Sequence, residues 1–383
     1  MKPHRLTELD AMRGLAALAV LLFHFTAAYQ YLYSIGRYGK NFTMHTLPPF
    51  TFNYGNLGVH LFFMISGFVI FMTLNNTKKP LDFVVSRFSR LYPAYWAVLF
   101  INLFLALKIH PSQFLINATM LSAWFKSDYV MQVSWTLTAE LSFYTCMLIL
   151  FSMKLLKYIE ALGLAWLCVM MFDIRLGALL GVHAPWIIQQ SKLLIHGNLF
   201  FAGILFYKIK FEGVTWQRNA CLVLCWLTQF IVAREYYPTP IALILFFALF
   251  YLFCFDMLTF LRNRVFVFFG TISYSLYLIH ENFGTMILRL LDGVKSNFYV
   301  NFIIAAGCSI LMGYAITVLI EQPVMKWIRA AYKQRAVTTG FKLVNNEIVS
   351  LDRKRELCED ILITRGAGKD ELNEGRIFND GYL

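Results

Sequence analysis

Arg13 and His24 stand eleven positions apart in LTELDAMRGLAALAVLLFHFTAAYQYLYS. On a helix they share a face, separated along the axis by about 16 Å. A run this apolar reads as a membrane helix with Asp10 and Arg13 at one end and His24 in its middle. Ionisable groups are costly in lipid, so their retention there points to a function. Apolar surroundings keep an imidazole neutral, the form that takes a proton from an incoming hydroxyl. The alternative for His24 is a packing histidine, satisfied by a hydroxyl of a neighbouring helix.

Glu140 in VSWTLTAELSFY and His280 in GTISYSLYLIHE are further titratable groups inside apolar runs. Counted at about 1.5 Å per residue, His24 and His280 fall in the middle of the membrane. Glu140 falls about 7 Å below an interface set at Ser134 and Trp135. The expectation is one polar cavity holding all three, with Glu140 the better carboxylate to support His24. The run GNLGVHLFFMISGFVIFMTL adds His60, Ser66 and Gly67, where small residues more often mark close helix contact than chemistry. A second group is basic. Arg87 and Arg90 in VSRFSRLYP are three apart and share a helix face at the level of Arg13. Three guanidinium groups near one surface suit phosphate, with Glu321 in IEQPVMKW placed to orient one of them. The alternative is anchoring to anionic lipid, which accounts for Lys78 and Lys79.

The elements that must hold these residues follow from composition. A 383-residue chain with 58% hydrophobic residues, 37 Phe, 15% charged residues and mean hydropathy +0.58 is too apolar for a soluble domain. The expected fold class is all-α, a polytopic membrane bundle. Its ten spans lie near 11–34, 57–75, 91–109, 134–153, 158–180, 191–207, 219–234, 240–260, 265–288 and 300–321. The first is a retained span and not a cleaved leader, because Glu8 and Asp10 precede it and no small-residue cleavage site follows. Asp173 and Arg175 interrupt the fifth span and predict a break, an interior pair or an early exit.

Lys2, Arg5, Lys78, Lys79, Arg87, Arg90, Lys154, Lys157, Lys208, Lys210, Arg218, Arg262 and Arg264 all fall on the side of the termini, which makes both termini cytoplasmic. The same bias explains the net charge of +12 without nucleic acid. Six cysteines sit inside spans with no CxxC pair, so neither a disulfide framework nor a metal site is indicated. Residues 1–329 form the membrane domain. The polar, mixed-charge segment 330–383 reads as a cytoplasmic tail. Asn41-Phe42-Thr43 and Asn117-Ala118-Thr119 are glycosylation triplets of a kind that arises by chance.

Six strings in order, LDAMRGLAALAVLLFHF, GVHLFFMISGFVI, FVVSRFSRLYPAYW, SWTLTAELSFY, GTISYSLYLIH and IEQPVMKW, closely resemble the acyltransferase-3 family of membrane O-acyltransferases across residues 9–327. The resemblance implies transfer of an acyl group, usually acetyl, from cytoplasmic acyl-coenzyme A to a hydroxyl of a glycan or related acceptor. It carries over Arg13 with His24 as the arginine and histidine motif, Arg87 and Arg90 as the RxxR motif, and Glu321 as the acid near the last span. Glu140, Ser273, Tyr274 and His280 match further motif positions. The implied donor is acyl-CoA, a substrate and not a resident cofactor. The implied partners are a glycan or lipid-linked sugar and membrane lipid; with no extracellular esterase-like domain expected, the chain either acts alone or works with a separate envelope-assembly protein. The implied location is a bacterial inner membrane. His24 then acts as base or as a covalent acyl relay, with Asp10 orienting Arg13. The rival readings are a transporter or flippase, for which no second copy of the Arg13 to His24 pattern is found, and a non-catalytic scaffold.

Overall fold

The computed structural model describes residues 6–36, 44–105, 109–181, 184–232, 238–293 and 297–335; the triplet at Asn41 lies outside them. The chain divides into two units, residues 1–326 and 327–383. In the first, every regular element among the described residues is helical. In order these are α1 (Thr7–Phe23), a π-turn (His24–Ala28), α2 (Tyr29–Ser34), α3 (Gly58–Asn75), α4 (Pro80–Phe104), the short α5 (Pro111–Ala118), α6 (Trp135–Ser152) and α7 (Ile159–Leu180). There follow the short α8 (Trp186–Gln190), α9 (Leu193–Glu212), α10 (Trp216–Val232), α11 (Pro238–Cys254), α12 (Arg264–Ile279), a π-turn (His280–Gly284), α13 (Thr285–Asp292), α14 (Phe298–Ile316) and a π-turn (Thr317–Glu321). In the second unit, residues 327–335 are described and are helical.

A helix lies over each expected span, and five are long and apolar enough to cross a membrane: Thr7–Ser34, Asn53–Asn75, Gln132–Ser152, Leu193–Glu212 and Phe298–Arg335. Two expectations are corrected. The third span was set at 91–109, whereas α4 starts at Pro80, because proline fits the first helical turn and Asp82 favours its dipole; hydropathy is blind to both signals. No break occurs at Asp173, which lies within an unbroken α7 and whose Oδ1 accepts the Ala184 N–H at 2.7 Å. The side chain of Arg175 lies outside the described ones.

The bundle is built on close helix pairs. A Cβ on Gly67 of α3 would stand 2.0 Å from the Phe200 carbonyl oxygen of α9, and one on Gly203 of α9 would stand 1.9 Å from that of Met64. Only glycine lets these backbones touch, the usual way membrane helices gain packing energy without a hydrophobic drive. α1 and α12 repeat the device: a Cβ on Gly270 would meet the Asp10 carbonyl oxygen at 2.1 Å, and one on Gly14 would meet the Gly270 nitrogen at 2.6 Å. Outward-facing side chains are large and apolar, such as Phe104, Leu179 and Leu319, as a lipid solvent requires. Several cations at helix ends are tied to acids: Arg218 to Glu160 at 3.1 Å and Glu212 at 2.6 Å, Lys208 to Glu212 at 2.8 Å, and Arg262 to Glu8 at 2.6 Å. Cys146 and Cys168, both inside expected spans, are exposed on the helix surface.

Candidate active site

His24 and His280 are brought together. Both open π-turns, the wider turns that recur at functional sites because they displace side chains from the regular helical register. The Gly14–Gly270 contact lies ten residues before each histidine, so two parallel helices clamped at that point meet again at the two rings. The ring centroids are 4.9 Å apart, and His280 Nε2 lies 3.1 Å from His24 Nδ1. His280 Nδ1 faces the Leu276 carbonyl at 3.1 Å, and His24 Nδ1 faces the Val20 carbonyl at 2.9 Å.

Carbonyls only accept, and with both rings neutral one proton assignment satisfies all three contacts. His280 carries its proton on Nδ1 and presents a bare Nε2; His24 carries its proton on Nδ1 and shares it between Val20 and His280. His24 Nε2 is left as an unprotonated base. His24 lines an open chamber walled also by Tyr31, Asn56, Tyr129, Gln132 and Glu281 among others, and Nε2 is the ring nitrogen left to face it. Loop contacts hold that wall: the buried Asp292 carboxylate takes the His45 and Thr46 N–H groups at 2.8 and 2.9 Å, and Thr26 Oγ1 takes Phe52 N–H at 3.0 Å. Burial raises the Tyr129 phenol above its ordinary pKa, so it stays neutral.

Arg13, Arg87, Arg90 and Glu140 line a second, smaller space of about 740 Å³, with Ser66, Tyr144 and Tyr274. Arg13 lies within electrostatic reach of Asp10, Arg90 and Glu140. Arg90 pairs with Glu321, which is completely buried and also accepts from Ser275 Oγ at 2.7 Å. Arg87 packs over the Phe83 and Tyr144 rings at 5.9 and 6.0 Å, and its buried Nε has no hydrogen-bond partner among the described residues. A buried guanidinium N–H left unpaired is a donor in want of an anion.

Glu140 is the main correction to the sequence reading. It belongs with the arginines, not with His24: Oε1 accepts from Ser66 Oγ at 3.0 Å and from the Tyr144 hydroxyl. The reason lies at the start of α6. Val133 N–H donates to Glu281 Oε2 at 3.0 Å and Thr136 Oγ1 lies 3.1 Å from the Tyr277 hydroxyl, so Ser134 and Trp135 sit at the level of His280 and not at an interface. Five residues further on, Glu140 lies about 7 Å along α6 beyond the level of His280, and so deeper than an interfacial Trp135 implied. The support for His24 comes from His280.

Ser273 bonds only the Gly270 carbonyl of its own helix at 2.8 Å; the serine on Glu321 is Ser275. Tyr274 donates to the Leu91 carbonyl at 2.9 Å with Arg90 over its ring, and His60 faces His196 instead of the chamber. Asn117 is buried and spends its amide on Gln113, Asp128 and Val130, which leaves no nitrogen for a glycan.

Tyr277 and Phe62 stand between the two spaces with ring centroids 5.4 Å apart, and the Tyr277 ring lies 5.9 Å from His280. The arrangement is a base above, an anion-seeking floor below and a thin aromatic partition between. A family model described as an acyltransferase domain, Acyl_transf_3, matches residues 6–322. The chain belongs to the acyltransferase-3 family. No curated protein and no solved structure matches it. By its family it is therefore a membrane acyltransferase. Glu281, Asn282 and Ser275 escaped the sequence reading. For Asn282 a signal existed, since its Nδ2 donates at 2.6 Å to Asn102 Oδ1, and amides buried in two apolar spans are candidates to pair.

Proposed function

We propose that the protein is an integral-membrane O-acyltransferase of a bacterial inner membrane, with both termini in the cytoplasm. It moves an acyl group, acetyl by preference, from cytoplasmic acyl-CoA to a hydroxyl of a cell-envelope glycan. The observation that carries this reading is the proton arrangement of the histidine pair, which leaves His24 Nε2 bare toward an open chamber. In the proposed reaction His24 Nε2 takes the proton of the acceptor hydroxyl as its oxygen attacks the thioester carbon. The C–O bond forms, the C–S bond breaks, and the thiolate of coenzyme A recovers the proton from the imidazolium. His280 holds the ring of His24 by accepting its Nδ1–H. Arg13, Arg87 and Arg90 bind the donor's phosphates, with Glu321 fixing Arg90. Glu140 and Ser66 order the pocket floor near Arg13. Arg13, which shares its pocket with Arg87 and Arg90, lies about 16 Å along the helix from His24, which suits a donor with phosphates at one end and a thioester at the other.

The test measures release of free CoA from acetyl-CoA and acetyl ester on surface glycan, comparing wild type with His24→Ala at equal expression. Loss of both supports the reading. Unchanged glycan acylation in His24→Ala removes this histidine from the mechanism, and glycan movement without any need for acyl-CoA favours a transporter instead. Arg13→Ala and Arg87→Ala should raise KM for acetyl-CoA, with recovery at high donor concentration.

A further inference from the structure

The wall of the chamber beside His24 carries three acceptor atoms that no described protein donor reaches. His24 Nε2 has no hydrogen-bond partner among the described residues. Glu281, the next residue after His280, is nine-tenths buried and gives Oε2 to the Val133 N–H at 3.0 Å, while Oε1 has no partner among the described residues. Asn56, also in the chamber wall, holds a buried Oδ1 with no hydrogen-bond partner among the described residues. Buried acceptors left unpaired are costly, and a row of them along one cavity marks a ligand that brings donors. An anion would be repelled by that row; a ring bearing several hydroxyl groups would satisfy it. Among the chamber's lining residues the cation is Arg289, eight residues beyond Glu281 and so roughly 12 Å further along the helix, away from the base.

Resting on the acyl transfer proposed above, we infer that Glu281 and Asn56 are acceptor-binding residues. Each takes a hydrogen bond from a hydroxyl neighbouring the one that His24 deprotonates, so the acceptor presents a neutral, polyhydroxylated sugar ring at the reacting end. Glu281 Oε1 would receive the adjacent hydroxyl and Asn56 Oδ1 one across the ring. Without them the sugar still reaches the chamber, but its reacting oxygen is not held against the base.

Glu281→Gln is the discriminating variant. Its amide oxygen can keep the Val133 N–H bond that the fold uses, while its NH2 turns a donor toward the chamber where an acceptor stood. Full-length variants in native membranes are supplied with acetyl-CoA, and two quantities are read: CoA released in the absence of glycan, when water takes the place of the acceptor hydroxyl and carries the acyl group away as acetate, and acetyl ester on the surface glycan of the cells that carry the protein. Glu281→Gln and Asn56→Leu should each lower glycan acetylation roughly 10- to 100-fold. CoA release without glycan and KM for acetyl-CoA should stay at wild-type level, and Asn56→Asp, which restores an acceptor, should recover most of the loss. Glycan acetylation within about twofold of wild type in Glu281→Gln overturns the inference, as does an equal fall in glycan-free CoA release, which would mark a structural role. Failure of the wild type itself to release CoA would instead overturn the acyl-transfer reading.

Discussion

At the scale of single residues the histidine pair makes an unequal prediction. His24 supplies the base, so His24→Ala should lower kcat roughly 10²- to 10⁴-fold. His280 supplies only an acceptor for the His24 Nδ1–H, and the Val20 carbonyl remains when it is lost. His280→Ala should therefore cost about 10- to 100-fold in kcat with KM for acetyl-CoA unchanged, and His280→Gln, whose amide oxygen can take that N–H, should recover part of it. Equal loss in both alanine variants would mean that the rings act as one titrating unit. Glu321 is the complementary case. Its carboxylate is fully buried between Arg90 and Ser275, while the Arg90 side chain keeps 24% of its surface toward the open pocket. Glu321→Gln should lower stability by about 1–3 kcal/mol, less than for a wholly buried pair because the freed guanidinium can turn to water. The readout is the midpoint of thermal unfolding in detergent, where Ser275→Ala should cost about 1 kcal/mol.

Helix by helix, what matters is the register between α1 and α12. The glycine clamp and the histidine contact lie ten residues apart on both chains, about 15 Å along parallel axes. A side chain at the clamp must separate the helices, since the atom it meets is the Asp10 backbone and cannot rotate away. Gly270→Val should therefore abolish glycan acylation although it touches no reacting group, and Gly307→Val, at a position with open space around it, should fold and work normally. Normal activity in Gly270→Val would show that the clamp does not set the dyad. Helices of this kind were legible in the sequence, because apolar runs bounded by basic residues mark spans directly. The π-turns at His24, His280 and Glu321 were not, since they depend on where two helices meet and carry no local pattern. The depth of Glu140 was misjudged for a related reason. Trp135 is a residue of interfaces, but the hydrogen bonds of Val133 and Thr136 pull the start of α6 into the bundle.

The molecule as a whole is two spaces that meet at an aromatic partition, and only their floors could be read from residue types. Arginines three apart and an intramembrane histidine announce themselves in a sequence; which carboxylate joins which floor depends on helix packing across residues far apart in the chain. The division predicts which side of the membrane reaches each space. With all seven native cysteines first replaced by serine, single cysteines can be placed at Ala28 on the wall of the chamber beside His24 and at Val69 in the pocket of Arg13. On the proposed orientation, a membrane-impermeant maleimide added to intact cells should label Ala28→Cys and spare Val69→Cys, and inverted vesicles should reverse the result. Acetyl-CoA should protect only the inner position, because its phosphates bind there. Labelling of Val69→Cys from outside at the rate of Ala28→Cys would join the two spaces into one outward cavity. A cytoplasmic donor would then have no separate way in, and the arginines would have to serve the acceptor.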